Sequence, residues 1–277
     1  MENKTILITG GCGSFGQEFT KQALKQNPEA IRIFDHSEYS LWEMQERFKD
    51  KRLRFFIGDV RDKDRLIRAM NGVDIVVHAA ALKHVHLCEF NPIEAVNTNI
   101  NGSINIIDAA INCNVSLVLG ISSDKSVHPI NLYGATKLVM EKLFIQANVY
   151  GVGNTKLSCV RYGNFEGSRG SFLTLLYKSA EEGTPIKLTH KDMSRFWMEL
   201  DKVAEFAIKC ISIMKGGEVF IPKMPEKKVT ELIETFAPQA KIKLIGKRKG
   251  EKLQEMLFNE DEKPIDMGDY YQIVNKF

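Results

Sequence analysis

Short runs of β-branched and aliphatic residues recur along the first 160 residues, separated by stretches whose apolar positions fall at helical spacing. The runs at 5–9, 31–35, 53–57, 74–78, 116–121 and 156–161 have strand length and are mostly apolar, as strands covered on both faces are. This alternation predicts an α/β domain, a doubly wound parallel sheet with helices on both sides. Between the fourth and fifth runs, Ile93, Val96, Ile100, Ile104, Ile107 and Ile111 form a stripe at helical spacing that is expected to pack on the sheet. Beyond Arg161 the pattern loosens: Gly163, Gly167 and Gly170 interrupt it, Pro185, Pro222, Pro225 and Pro238 break later segments, and helix-like stretches are short. A smaller, loop-rich lobe over 163–277 is expected beside the domain of 1–162, with some elements returning to that domain. No repeat, low-complexity tract or flexible linker divides the two. Residues 268–277 fit no single assignment, and Trp42, Trp197 and the ten methionines read as core.

Composition narrows the class. With 277 residues, 44% hydrophobic and 26% charged, the chain can bury a sizeable core, and its net charge of +3 is too even for a nucleic-acid or membrane-surface binder. The first apolar run is five residues long and no later one could span a bilayer, so neither a signal segment nor a membrane anchor is expected. Cys12, Cys88, Cys113, Cys159 and Cys210 are odd in number, widely spaced and never Cys-x-x-Cys, which suits reduced thiols in a cytoplasmic protein. His84, His86 and Cys88 would share a face if their segment were extended, but no fourth ligand cluster accompanies them, and no metal is expected.

Gly11-Cys12-Gly13-Ser14-Phe15-Gly16 follows the first run and opens a helical pattern carrying Phe19, Ala23 and Leu24. Glycines there allow a tight turn and close backbone approach while the helix N-terminus faces a pyrophosphate, which predicts a dinucleotide site. Asp35 ends the second run, nineteen residues past Gly16. A carboxylate at that place accepts from both ribose hydroxyls and repels a 2′-phosphate, so NAD is favoured over NADP. The competing reading makes Asp35 a turn cap with His36 and Ser37, and Arg32 is a nearby cation that could offset it.

Tyr133 and Lys137 stand four residues apart, on one face of a helix, where an ammonium favours a phenolate able to take a hydroxyl proton during hydride transfer. Ser122-Ser123-Asp124-Lys125 ends the fifth run, the sheet edge at which ligands of such folds bind. Elsewhere an Asp-Lys pair is an ordinary solvated turn; here it sets an acid and a base side by side.

Together with these motifs, several further stretches resemble the UDP-N-acetylglucosamine 4,6-dehydratases of the extended short-chain dehydrogenase/reductase superfamily, a Rossmann-like group of polysaccharide biosynthesis type. They are Gly58-Asp59-Val60-Arg61-Asp62, 79–85, Asn91-Pro92 with Glu94, Thr98-Asn99, and 129–137. Arg161-Tyr162-Gly163-Asn164, Gly167-Ser168-Arg169-Gly170, Arg195-Phe196-Trp197 and Gly250-Glu251-Lys252-Leu253 carry the likeness to the far end of the chain. Departures are His86 where a proline is common, Lys249 in place of a proline, and Ser123 in place of a threonine. The segment 34–39 is closer to long, membrane-anchored relatives, whereas Tyr133 is typical of short soluble ones.

The resemblance implies that 1–162 bind NAD and that 163–277 mainly bind a nucleotide sugar, UDP-N-acetylglucosamine or a close UDP-hexose, in a homo-oligomer. It implies oxidation of the sugar at C4 by Tyr133 and Lys137, with Ser123 on the C4 oxygen, Asp124 as acid and Lys125 as base for loss of water across C5 and C6. Cofactor contacts would be Gly10, Gly13, Ser14, Phe15 and Gly16 on the phosphates, and Asp35, His36 and Ser37 at the ribose. Asp59 and Val60 would hold the adenine, and Ala79, Ala80, Ala81, Lys83 and Asn99 would lie toward the nicotinamide. Substrate contacts would be Lys83, His84, Asn164, Arg169, Arg195, Arg248 and Glu251, guanidinium groups suiting a diphosphate and a carboxylate a ribose diol. Two other readings share the fold: a 4-epimerase or 4-keto reductase, which needs no Asp124–Lys125 elimination pair, and a non-enzymatic dinucleotide sensor.

Overall fold

The computed structural model describes residues 1–150, 155–166 and 172–274. In chain order the first half runs β1 (Thr5–Thr9), α1 (Ser14–Leu24), β2 (Ala30–Asp35), α2 (Glu38–Arg47), β3 (Leu53–Ile57), α3 (Lys63–Met70) and β4 (Ile75–His78). There follow α4 (Val85–Phe90), α5 (Pro92–Val96), a π-helical turn (Asn97–Asn101), α6 (Gly102–Asn112), β5 (Leu117–Ile121), α7 (Leu132–Ala147) and β6 (Lys156–Val160). The second half adds β7 (Asn164–Phe165), α8 (Phe172–Glu181), β8 (Ile186–Leu188), β9 (Ser194–Met198), α9 (Leu200–Ile213), β10 (Glu218–Pro222) and β11 (Glu226–Lys228). It ends with α10 (Val229–Phe236), β12 (Ile242–Leu244), β13 (Ile265–Asp266) and β14 (Tyr270–Val274).

Among the described residues, nine strands form the main sheet in the order β13-β14-β10-β6-β5-β4-β1-β2-β3. The pairs from β10 through β3 are parallel, and β14 returns antiparallel on β10. The six runs read from the pattern are β1 to β6, within a residue at each end. β1 lies between β2 and β4, so the strand order reverses there, and the crevice at the carboxyl ends of these two strands is the place where such sheets bind ligands. Both faces are packed: Ile6, Ile8, Ile31, Ile33 and Phe19 lie in one cluster, Leu7, Val76, Val118, Ile106 and Phe144 in the other.

Several expectations are corrected. The isoleucine stripe does not lie wholly on the sheet: Ile93 is 71% exposed and Ile104 38%, and the buried face carries Ala95, Asn99, Ser103, Ile106 and Ala110. The π-helical turn inserts an extra residue and rotates the stripe outward, and the inward face needs small or hydrogen-bonding residues because Ser103 bonds to Asn99 O at 2.6 Å and lies 3.2 Å from His78 Nε2. The His84–Cys88 region is helical rather than extended, so His84, His86 and Cys88 do not share a strand face. Trp42 is 56% exposed and rests beside Tyr39, not in the core. The second half is less loosely built than its glycines suggested, since α9 is fourteen residues long and packs against α1. The tail enters the main sheet as β14, its alternation masked by Tyr270 and Tyr271.

Candidate active site

At the crevice beside β1 the chain leaves the strand through Gly10, whose φ is +65°, and a β-carbon there would lie 2.8 Å from the backbone of Ala80. Glycine is therefore needed both for the turn and for the approach of the two loops. α1 starts at Ser14, after Gly13, and its first residues, Ser14 to Gly16, line the crevice. Asp35 closes the far wall: Oδ2 accepts from Cys12 N at 3.1 Å and Oδ1 from Ser37 N at 3.1 Å. Arg32 is not part of this wall, because its guanidinium donates to the carbonyls of Ala69 and Asn71 at 2.7 and 2.8 Å. The resulting cavity of about 990 Å³ is lined by every residue assigned above to the cofactor except Asn99.

Asn99 is 2% exposed and works one layer behind the wall. It accepts from Leu82 N at 2.8 Å, donates to Leu82 O at 2.9 Å and to Thr136 Oγ1 at 2.9 Å, and so fixes the 79–83 segment against α7. Ser123, Lys125, Tyr133 and Lys137 reach the same cavity, as do Lys83, His84 and Asn164. Asp124 is completely buried, and it stands beneath Ser123 and Lys125 rather than on the cavity wall. Arg195, Arg248 and Glu251 are not brought to the wall. Arg195 Nη1 donates to Ser194 O and Leu253 O at 2.6 and 3.1 Å, and Nη2 to Lys252 O at 3.0 Å. Arg248 is exposed and lies 3.8 Å from Glu251. Arg169 lies outside the described residues.

The Ser123-Asp124-Lys125 turn is compact. Ser123 Oγ donates to Asp124 Oδ1 at 2.9 Å, and Lys125 Nζ to the same oxygen at 3.0 Å. Asp124 Oδ2 is buried without a hydrogen-bond partner among the described residues. α7 begins directly over this turn: Asn131 caps it by accepting from Gly134 N at 2.8 Å, and a β-carbon on Gly134 would overlap the carbonyl of Lys125. That close approach holds Tyr133, one residue before the glycine, against the Asp124–Lys125 pair.

Residues 6–275 match the sequence model of a family described as polysaccharide biosynthesis proteins. The chain belongs to that family. Over 275 residues it is 44% identical to the UDP-N-acetylglucosamine 4,6-dehydratase (inverting) of Campylobacter jejuni, covering 98% of this chain and 82% of that one. It is 49% identical over 273 residues to an uncharacterised membrane protein of Methanocaldococcus jannaschii, with 94% and 82% covered. A protein named UDP-glucose 4-epimerase in Rickettsia akari is 40% identical over 282 residues, with 98% and 83% covered. The crystal structure of Pen from Bacillus thuringiensis superposes with a TM-score of 0.96 at 40% identity, covering 99% of this chain and 90% of that one. The resemblance read from the motifs, and the fold it implied, are thus borne out for this member of the polysaccharide biosynthesis family. Among the described residues no helix is long and apolar enough to cross a membrane.

The electrostatics of this family member's site depart from the expectation in one respect. Burial pushes the Tyr133 phenol up to about 12, and the nearby charge that opposes the rise is Lys125, helped by a hydrogen bond with Ser123. Lys137 is instead tied by its Nζ to Ile121 O at 2.7 Å, and burial lowers it to about 8. Burial also lowers Lys125, but Asp124 and Glu255 outweigh it, and the ammonium is held above its ordinary range. Lys125 thus rests as an ammonium 3.0 Å from Asp124 Oδ1, whereas elimination requires a neutral amine.

Sequence reasoning missed Glu141, Arg161, Glu255 and Glu262. Glu141 Oε1 accepts from Ser122 Oγ at 2.5 Å, Ser126 Oγ at 2.9 Å and Arg161 Nε at 3.1 Å, while Oε2 accepts from Arg161 Nη2 at 2.7 Å. Its signal was in view: Tyr133, Lys137 and Glu141 are spaced at i, i+4 and i+8 on one helix. Nothing local marks Glu255 or Glu262, which reach the turn only through the path of the C-terminal segment.

Proposed function

We propose that the protein is a UDP-N-acetylglucosamine 4,6-dehydratase, a hydro-lyase. It converts that nucleotide sugar to the 4-keto-6-deoxy product by C4 oxidation, loss of water across C5 and C6, and return of hydride to C6. The observation that carries the reading is the buried Ser123-Asp124-Lys125 turn packed under Tyr133, since an epimerase or a reductase has no use for an acid and a base at C5 and C6. The relative named as this dehydratase supports it. A 4-epimerase is the second reading, favoured by the 40% identical relative of that name.

NAD fits the cradle of Gly10, Gly13 and α1, and the Asp35 carboxylate without a facing Arg32 favours it over NADP. When bound, it supplies the hydride acceptor for C4 and the donor for C6. Tyr133 takes the C4 hydroxyl proton once added positive charge in the cavity brings its phenol down from about 12. One proton moved across the 3.0 Å contact turns the Lys125 ammonium and Asp124 carboxylate into a neutral amine and a carboxylic acid. Lys125 then takes the C5 proton and Asp124 protonates the departing C6 hydroxyl, which restores the ion pair. When Lys125 returns a proton to C5, the proton held by Tyr133 resets the pair through Ser123, which bonds to Asp124 at 2.9 Å. The proton count therefore closes within these four side chains.

In this reading residues 1–162 chiefly hold the cofactor and 163–277 the nucleotide sugar, with Lys83, His84 and Asn164 toward the hexose and Arg169, Arg248 and Glu251 toward the UDP. Free cysteines suit a cytoplasmic protein, and the exposed Leu87, Phe90 and Ile93 on α4 and α5 suit a homo-oligomer. The test compares Lys125→Ala with Tyr133→Phe on UDP-N-acetylglucosamine. Lys125→Ala should accumulate reduced nicotinamide with little solvent deuterium entering C5, whereas Tyr133→Phe should neither accumulate reduced nicotinamide nor take deuterium into C5. Parent-rate turnover by both Lys125→Ala and Asp124→Asn would replace the dehydratase with the epimerase reading.

A further inference from the structure

The Gly250-Glu251-Lys252-Leu253 stretch leads to a carboxylate that the mechanism above does not use. The Glu255 side chain is 3% exposed, with Oε1 3.5 Å from Lys125 Nζ. Oε2 lies 3.3 Å from Lys252 Nζ, and it is buried without a hydrogen bond among the described residues. The segment that carries it is pinned on two sides. Ser194 N donates to Leu253 O at 3.0 Å, Arg195 donates to Lys252 O and Leu253 O, and Lys252 Nζ donates to Val127 O beside the catalytic turn.

Lys125 is thus held between two carboxylates from distant parts of the chain, Asp124 at 3.0 Å and Glu255 at 3.5 Å. A lysine head on a flexible four-carbon stem has many places to go, and a single adjacent carboxylate leaves it free to swing about that partner. A second carboxylate, brought from the C-terminal segment, narrows this freedom, as does Asn164 Oδ1 at 3.5 Å. We propose that Glu255 is a positioning residue for the elimination step: it holds Lys125 Nζ where the sugar C5 proton is taken, acting through Lys125 and not on the sugar. The inference rests on the dehydratase reading. It gives the C-terminal segment a part in the chemistry as well as in substrate binding.

The titratable and charged groups facing Lys125 are Asp124 on its own turn, the Tyr133 phenol on α7, Arg195 on β9 and Glu255 on the C-terminal segment. Both carboxylates favour the ammonium, and Arg195 opposes it. Loss of the Glu255 charge therefore eases deprotonation of Lys125 while releasing its aim.

The experiment compares parent, Glu255→Gln and Glu255→Asp, each saturated with NAD and given UDP-N-acetylglucosamine in deuterated buffer across neutral and alkaline pH. It reads product by NMR, deuterium at C5, and the absorbance of reduced nicotinamide. Glu255→Gln should form product about tenfold more slowly or worse, as a misaimed reacting group does, while reduced nicotinamide builds up. The pH at which its rate is half-maximal should move down by about one unit. Glu255→Asp restores the charge with a shorter reach, so its pH profile should return to the parent's while its rate stays low. A parental rate and profile in Glu255→Gln would overturn the inference. So would an equal fall in cofactor reduction and product formation with an unmoved profile, the mark of a residue that only fills space. If Glu255→Gln does not fold, a parental rate in Glu255→Asp overturns it instead. A parent that makes no 4-keto-6-deoxy product defeats the dehydratase reading and this inference with it.

Discussion

Replacing Glu141 by Gln should unsettle the catalytic turn from below. The carboxylate receives four donors: the hydroxyls of Ser122 and Ser126 and two nitrogens of Arg161. Glutamine keeps one acceptor oxygen but sets an NH₂ against donors, and it leaves the buried Arg161 guanidinium with Glu262 as its remaining carboxylate, at 2.7 and 2.9 Å. Breaking one partner of a buried ion pair costs about 3–5 kcal/mol. At roughly 2.1 cal/mol/K per residue, a chain of 277 residues unfolds with an entropy near 0.6 kcal/mol/K, so the melting temperature should fall by about 5–8 °C. Glu262 is more exposed than Glu141, 15% against 2%, and Glu262→Gln should cost less. Calorimetry of both variants checks the order, and turnover of UDP-N-acetylglucosamine should fall further in Glu141→Gln, because Ser122 and Ser126 flank the reacting residues. A Glu141→Gln protein melting within about 1 °C of the parent, or above Glu262→Gln, would refute the account.

Two further outcomes are expected. Arg248→Ala should raise KM about tenfold with kcat nearly kept, as loss of a substrate contact does, whereas Arg195→Ala should also lower kcat, because Arg195 ties down the 252–253 backbone; steady-state kinetics in which both variants change KM alone would refute the distinction. Burial lowers His78 to about 3 from 6.5, so between those values the unfolded chain binds the extra proton and stability falls as pH drops through 6.5, by at most about 1.4 kcal/mol per pH unit. Urea midpoints across that range should fall less steeply for His78→Gln than for the parent, and parallel curves would refute it.

Where the chain's chemistry is local in sequence, it was legible. Six strands announce themselves as mostly apolar runs, the glycine loop sits between a strand and a helix, and Tyr133 and Lys137 share a helical face; each depends on neighbours within a few residues. Misreadings arose where tertiary packing decides. The stripe from Ile93 to Ile111 has the right period, but Asn99 and Ser103 must face inward to hold the 79–83 segment and His78, and a π-helical turn rotates the stripe outward to allow it. Lys137 was expected to tune the phenol from one turn away, yet its ammonium is spent on Ile121 O, and Lys125 from the neighbouring turn opposes the rise instead.

The least legible part is also the most heavily tied. Two chains of buried charge converge on residues 122–126: Glu141, Arg161 and Glu262 from beneath, and Asp124, Lys125, Glu255 and Lys252 from the side. Both end in the stretch 252–262, far along the chain from the turn they hold. Buried ion pairs seldom stabilise a fold more than well-packed apolar residues would, so their clustering at one short turn is better explained by the geometry they impose there. A Lys–Asp pair that exchanges a single proton must keep its separation near 3.0 Å while a sugar enters and leaves. Apolar packing fixes volume without fixing the direction of an amine, whereas two carboxylates within reach of it constrain that direction as well. On the proposed mechanism, the C-terminal segment takes part in the chemistry as much as the glycine loop does, although no local pattern in it says so.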